Sequence, residues 1–152
     1  MYYVVCNIHA LAETDDPNLI AVAGSINAGW NIMEAVGFSE GKAVLEFDGD
    51  TVHTRCMPSQ SGEIRITAIS EATRRIAFGA EVDLLKLDCE GSEWEILEET
   101  ESMSHIMRLT MEYHLDAHQT LSDLMEKLGK SGFRVEFQRA DGPNYGRIWA
   151  SR

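Results

Sequence analysis

The chain alternates between short apolar runs and polar punctuation, and the period of each run identifies an element. YYVVCNI near the start is rich in β-branched and aromatic residues and predicts a strand. In the TDDPN that follows, Asp16 can cap a helix and Pro17 fits its first turn; Leu19, Ala23, Ile26 and Trp30 recur at helical spacing until about Gly29. NIMEAVGF predicts a short buried strand. KAVLEF and TVHTRC predict a hairpin about Asp48-Gly49-Asp50, and EIRITAI predicts another extended segment.

The second half alternates more regularly. SEATRRIAFG, from Ser70, is helical in composition and closes on Gly79. VDLLKLD is continuously apolar up to its charges, the pattern of a strand covered on both faces. Ser92 and Glu95 stand at capping-box spacing, so a helix is expected directly after Gly91. IMRLTMEY predicts a second buried strand. Leu121, Leu124, Met125 and Leu128 then mark a helix that stops at Gly132. FRVEFQ and GRIWAS, separated by RADGPNY, predict an antiparallel pair. Strand, helix, strand, helix, strand, strand is an α/β order with an antiparallel end.

Length and composition narrow the class. The 152 residues suit one domain, 1–152, without repeat or linker. No apolar window is long enough to span a bilayer, and the first residues lack the pattern of a secretory signal, so a cytoplasmic protein is expected. Cys6, Cys56 and Cys89 are an odd number without C-x-x-C spacing, which fits reduced, buried thiols better than disulfides or a zinc site. With 25 acidic against 13 basic residues, net −12, and no basic stripe, nucleic acid is an unfavourable partner.

The candidate chemistry sits at the strand ends. Strand 82–88 stops at Asp88, with Glu90 and Gly91 in the turn beyond, and the next buried strand ends in Glu112 and His114. In open α/β sheets ligands collect outside such carboxyl ends, so these four ionisable side chains converge if the two strands are neighbours. Lys86 alternates away from Leu85 and Leu87 and is placed to pair with a carboxylate.

The run VDLLKLDCEGSEWEIL resembles the signature of the FkbM-type methyltransferases, a hydrophobic residue then D-L-L-K, a hydrophobic residue, and D-x-E-G-x-E before an apolar pair. Every fixed position is filled. NIMEAVGFSEGKAVLEF, EIRITAISEATRRI and LTMEYH resemble further segments in family order, over roughly residues 30 to 150. The resemblance implies a Rossmann-like class I methyltransferase sheet, mostly parallel, with an antiparallel C-terminal strand pair. It also implies S-adenosylmethionine as cofactor and a hydroxyl on a sugar or natural product as acceptor. Asp88, Cys89 and Glu90 are the implied cofactor contacts, Glu112 and His114 the acceptor contacts, and Asp88, His114 and Glu90 the candidates for catalysis.

The chain departs from the pattern at its start. No Gly-rich turn with a preceding acid follows the first predicted strand; the nearest glycines, Gly24 and Gly29 in VAGSINAGW, fall in a predicted helix. By family order the chain begins near the second strand, and the sheet is expected to be N-terminally incomplete. Two other readings compete. Glu112, His114, Asp116 and His118 occupy alternate positions, and in an extended segment they would offer one face to a divalent ion; a polar loop after the strand is preferred to such a site. Alternatively, an incomplete sheet with an open central edge acts non-catalytically by pairing with itself or a partner chain, with Trp30 and Trp149 on that surface.

Overall fold

The computed structural model describes residues 3–7, 35–47, 54–77, 80–89 and 91–152. The helix expected over 16–30, the glycines Gly24 and Gly29, the hairpin tip at 48–50, Gly79 and Glu90 lie outside the described residues.

Five strands form the main sheet, in the order β1 (Tyr3–Asn7), β6 (Leu84–Asp88), β7 (Arg108–His114), β9 (Tyr145–Ser151) and β8 (Arg134–Ala140). β1, β6 and β7 are parallel, whereas β9 runs antiparallel to both β7 and β8. The exposed central edge expected beside the signature strand is therefore not there. The N-terminal strand fills it, in register from Tyr3↔Leu84 to Asn7↔Asp88.

A second, four-stranded sheet has the order β2 (Ala35–Gly37), β5 (Ile64–Ala68), β3 (Gly41–Phe47) and β4 (Thr54–Pro58). Here β2 and β5 are parallel, while β3 is antiparallel to both β4 and β5. The expected hairpin and extended segment are thus present, but in a sheet of their own. The architecture is a mixed α/β fold on two sheets.

Alternation on the main sheet decides where the core lies. Leu85 and Leu87 of β6, Leu109, Met111 and Tyr113 of β7, and Ile148 and Ala150 of β9 all face one side and are buried. Three helices follow β6 and β7: α2 (Glu93–Ile96), α3 (Thr100–Ser104) and α4 (Leu121–Lys130); α1 (Ile69–Ala77) precedes β6. Ile96, Met103, Leu124 and Leu128 bring their apolar faces onto the same core. Leu84, Lys86 and Asp88 on the other face of β6 are only half-buried, so that strand is not covered equally on both sides as its composition suggested.

The pattern Leu121, Leu124, Met125, Leu128 forms α4 as expected, and the chain leaves it through Gly132 at φ +83°. Arg152 closes this end of the fold. Its guanidinium donates to the carbonyls of Met103 (2.7 Å), Ile106 (2.9 Å) and Ser131 (2.6 Å) and lies 4.9 Å from the centre of the Phe133 ring. One planar fork thereby satisfies carbonyls that two helix ends and a strand start leave over.

Candidate active site

β6 delivers Asp88 to the carboxyl end of the sheet, next to Lys86 on the same face. The Lys86 ammonium donates to the Asp88 carboxylate at 2.9 Å, the pairing its alternation anticipated. Beyond Asp88 the chain makes a tight turn through Gly91, which holds φ +107°, a conformation that favours glycine. Cys89 is 3% exposed and behaves as a small core hydrophobe.

The turn is held by a residue to which the sequence reading gave no role at the site. Glu93 is fully buried, and its two carboxylate oxygens accept hydrogen bonds from the backbone N–H groups of Cys89 (2.7 Å) and Gly91 (2.8 Å). A buried carboxylate is costly unless its lone pairs are satisfied, and charge-assisted bonds to two backbone donors satisfy them strongly. The expected Ser92–Glu95 capping box is consequently absent. Ser92 has helical φ and ψ of −76° and −6° and makes no side-chain cap bond, and Glu95 is exposed. The side chain of Glu93, reaching backward, already accepts from the turn donors nearest the helix start.

The helical face shared by positions 93, 96 and 97 gave a signal that Glu93 points inward, since Ile96 and Leu97 are both buried.

His114 ends β7 beside this turn. Its Nδ1 lies 3.6 Å from a Glu93 carboxylate oxygen, beyond hydrogen-bond distance. Its ring stacks with Tyr145 at a centroid distance of 6.5 Å, and its carbonyl accepts a 3.0 Å bond from the Trp94 indole N–H. The imidazole is thus positioned from β7, β9 and α2 together.

His114 also lines a cleft of about 1140 Å³ between the two sheets. One wall carries Gly91, Ser92, Glu95, His114, Asp116 and Gln119; the other carries Phe38, Lys42, Met57, Ser59 and Arg65. The chain leaves extended geometry at His114. Asp116 accepts from the His118 N–H at 2.7 Å, and Gln119 accepts from the Asp116 N–H at 3.0 Å, so this segment turns. Glu112, His114, Asp116 and His118 do not continue as one extended face, and no group of three or more His, Cys, Asp or Glu is arranged to hold a metal among the described residues.

The convergence expected at the strand ends is divided. β6 and β7 are indeed neighbours. Asp88 nevertheless turns to Lys86, and Glu112 faces its register partner Arg147 at 3.8 Å, leaving His114 with Glu93. Of the predicted site residues that are described, His114 lines the cleft, while Asp88, Cys89 and Glu112 do not. Glu93, Lys42, Arg65 and Tyr145 were missed because their relation to His114 exists only after the sheets have formed.

A family model, the methyltransferase FkbM domain, matches residues 9–135. The chain belongs to the FkbM methyltransferase family. The matched span takes in the signature strand, the Glu93-held turn, His114 and the residues named on both walls of the cleft, while Tyr145, which stacks on His114, lies beyond it. Neither a curated protein nor a solved structure matches the chain significantly. No helix among the described residues of this FkbM domain is long and apolar enough to cross a membrane.

Proposed function

We propose that residues 1–152 act as a single domain that transfers a methyl group from S-adenosylmethionine to a hydroxyl oxygen of a sugar or small natural product in the cytoplasm. In this reading the β1-β6-β7-β9-β8 sheet is the class I Rossmann-like sheet of the family, with β8 and β9 as its antiparallel end. The observation that carries the proposal is His114, set in a cleft within the family-matched span and backed by the buried carboxylate of Glu93 at 3.6 Å.

The described residues fit such a cofactor in two respects. A Cβ built on Gly91 would meet no heavy atom within 4 Å, so the turn leaves room for close approach of a ligand beside Asp88. The cleft is ample for a nucleoside-sized molecule with its acceptor, and Glu95 and Asp116 on its wall favour a cationic group. The N–H groups of Cys89 and Gly91 are engaged by Glu93 and Asp88 is paired with Lys86 outside the cleft, so Gly91, Ser92 and Glu95 are the residues of this stretch assigned to face the cofactor.

S-adenosylmethionine, when bound, supplies an electrophilic methyl group on a sulfonium. The acceptor hydroxyl must lose its proton as the carbon–oxygen bond forms, and His114 is the residue assigned to take it. With Nδ1 turned toward Glu93, Nε2 is the nitrogen available to a hydroxyl in the cleft. The Glu93 carboxylate stabilises the imidazolium as it forms, Tyr145 stacks on the ring, and the Trp94 bond fixes the His114 backbone.

Calorimetric titration with S-adenosylmethionine, followed by transfer of labelled methyl to a panel of hydroxylated acceptors, tests the proposal. Binding is expected, and His114→Ala should lower transfer by about 100-fold or more with an unchanged circular dichroism spectrum. Absence of binding at millimolar cofactor would sink it.

A second reading, self-association through the main sheet, is supported by Phe137 and Trp149. They are direct cross-strand partners and are 52% and 59% exposed. Arg139 and Arg147, paired in the next register position on the same face, add residue types enriched at interface hot spots. A monomeric mass by light scattering at high protein concentration would remove this reading.

A further inference from the structure

Trp94 occupies a position that the signature leaves open, between Glu93 and the apolar pair Ile96 and Leu97. The short helix α2 tightens as it ends: the Glu98 N–H donates to the Glu95 carbonyl at 3.0 Å rather than to Trp94, its α-helical partner. The Trp94 carbonyl is met instead by Lys127 of α4, whose ammonium donates to it at 3.3 Å. The same ammonium stands 5.8 Å from the centre of the Trp94 ring, within cation–π range. One side chain thus grips both the backbone and the indole of a residue 33 positions earlier.

The indole N–H in turn donates to the His114 carbonyl at 3.0 Å, which ties α2 to the last residue of β7. Glu93, the neighbour of Trp94 in α2, carries the carboxylate that stands 3.6 Å from the His114 imidazole. That carboxylate is fixed separately, by the N–H groups of Cys89 and Gly91. The separation of carboxylate and imidazole therefore depends on how firmly Trp94 holds the strand end against the helix.

A lysine in the last turn of a helix has ordinary uses: it suits the helix dipole, and Lys127 also pairs with Glu98 at 2.8 Å. Neither use requires contact with Trp94, and the Glu98 side chain is 61% exposed, so that pair adds little. The Trp94 contacts are the ones that lead toward the candidate site.

We infer that Lys127 and Trp94 are positioning residues for His114: Lys127 fixes Trp94, and Trp94 sets the His114 imidazole against the Glu93 carboxylate. Calling His114 the base rests on the proposed function; the coupling from α4 to its ring does not.

The experiment follows the imidazole Cε1–H signal of His114 by NMR in the chain without cofactor or acceptor, assigned by its loss in His114→Ala. Lys127→Met keeps the alkyl stem and removes the ammonium; Trp94→Phe keeps an aromatic ring and removes the N–H. Both are expected to shift the His114 signal. Lys127→Arg, whose guanidinium can donate to the same carbonyl and stack on the indole, should return it to the parent position. Glu98→Gln breaks the surface pair alone and should leave the signal where it is. The three variants at Lys127 and Glu98 decide the matter even where Trp94→Phe fails to fold. In the transfer assay Lys127→Met should lower kcat about tenfold with KM unchanged.

An unmoved His114 signal in Lys127→Met, an equal shift in Glu98→Gln, or no recovery in Lys127→Arg overturns the inference. A shift in Lys127→Met in a chain that transfers no methyl group retains the coupling and discards the transferase. Transfer at the parent rate in Lys127→Met, with no shift, does the reverse.

Discussion

Two helices of the main core begin with the same kind of sequence and solve the problem of their free N–H groups in opposite ways. At α4, Thr120 and Asp123 form a reciprocal capping box: the Thr120 hydroxyl accepts from the Asp123 N–H at 3.2 Å, and the Asp123 carboxylate accepts from the Thr120 N–H at 3.1 Å. At α2, Ser92 and Glu95 have the matching spacing and do nothing of the kind. Glu93, inside the helix, reaches back into the preceding turn instead.

The difference follows from where the donors point. The start of α4 is exposed, and a local pair suffices. The turn before α2 buries the N–H of Cys89, where water cannot satisfy it, and a fully buried carboxylate accepts from it and from the N–H of Gly91 together. The turn that shapes the candidate site is thus rigid for a reason that the surface helix does not share.

Substitution at Glu93 should break this contrast most severely. Glu93→Gln keeps the shape but points an amide N–H₂ at one of two backbone donors, and a loss of about 3 kcal/mol is expected from unsatisfied buried groups. Denaturant unfolding measures it, and a loss near zero would show that the turn needs no carboxylate. Thr120→Ala removes the ordinary cap and should cost about 1 kcal/mol by the same measurement. Ser92→Ala and Glu95→Gln, conservative by position yet central to the expected capping box, should each fall within about 0.5 kcal/mol of the parent. A larger effect at Ser92 would restore the box.

A third helix start sharpens the comparison through pH. In α1 the Glu71 carboxylate accepts from Arg74 (2.7 and 2.8 Å) and Arg75 (2.7 Å). Chiefly through the Arg74 bonds and then those of Arg75, its pKa is lowered from 4.5 to about 2. A carboxyl more acidic in the folded state stabilises that state above its unfolded pKa and loses the effect as the pH falls toward the folded one. The melting temperatures of the parent and Glu71→Gln should therefore differ slightly above pH 4.5 and converge near pH 2. Because the group is at the surface, the difference should be the smallest of the set and should shrink in high salt.

Much of the architecture was legible in the residues because it rests on short-range pattern. The apolar spacing of Leu121 to Leu128 specifies α4, the hairpin β8–β9 follows from two alternating runs about RADGPNY, and VDLLKLD can be little other than a strand. Lys86 and Asp88, two positions apart, were bound to share a face, and they pair. His114 was found by the same route, as a polar end to a buried strand.

Partners distant in the chain were not legible. Glu112 was expected to join a site with Asp88 and His114, but β9 presents Arg147 to it. The sheet was expected to be N-terminally incomplete with an open central edge, yet β1 pairs with the signature strand across some 80 residues of intervening chain. Lys42 and Arg65, 23 positions apart in the chain, are brought face to face only by the ladder between β3 and β5. Local spacing settles which residues form a helix or strand and which of them share a side, because φ, ψ and side-chain period are properties of neighbouring residues. Which carboxylate meets which imidazole, and which residues line a cleft, depend on strand order and register. Those are decided by how whole apolar faces pack together, and for this domain they took His114 from a cluster of four charges and gave it to Glu93 and the cleft.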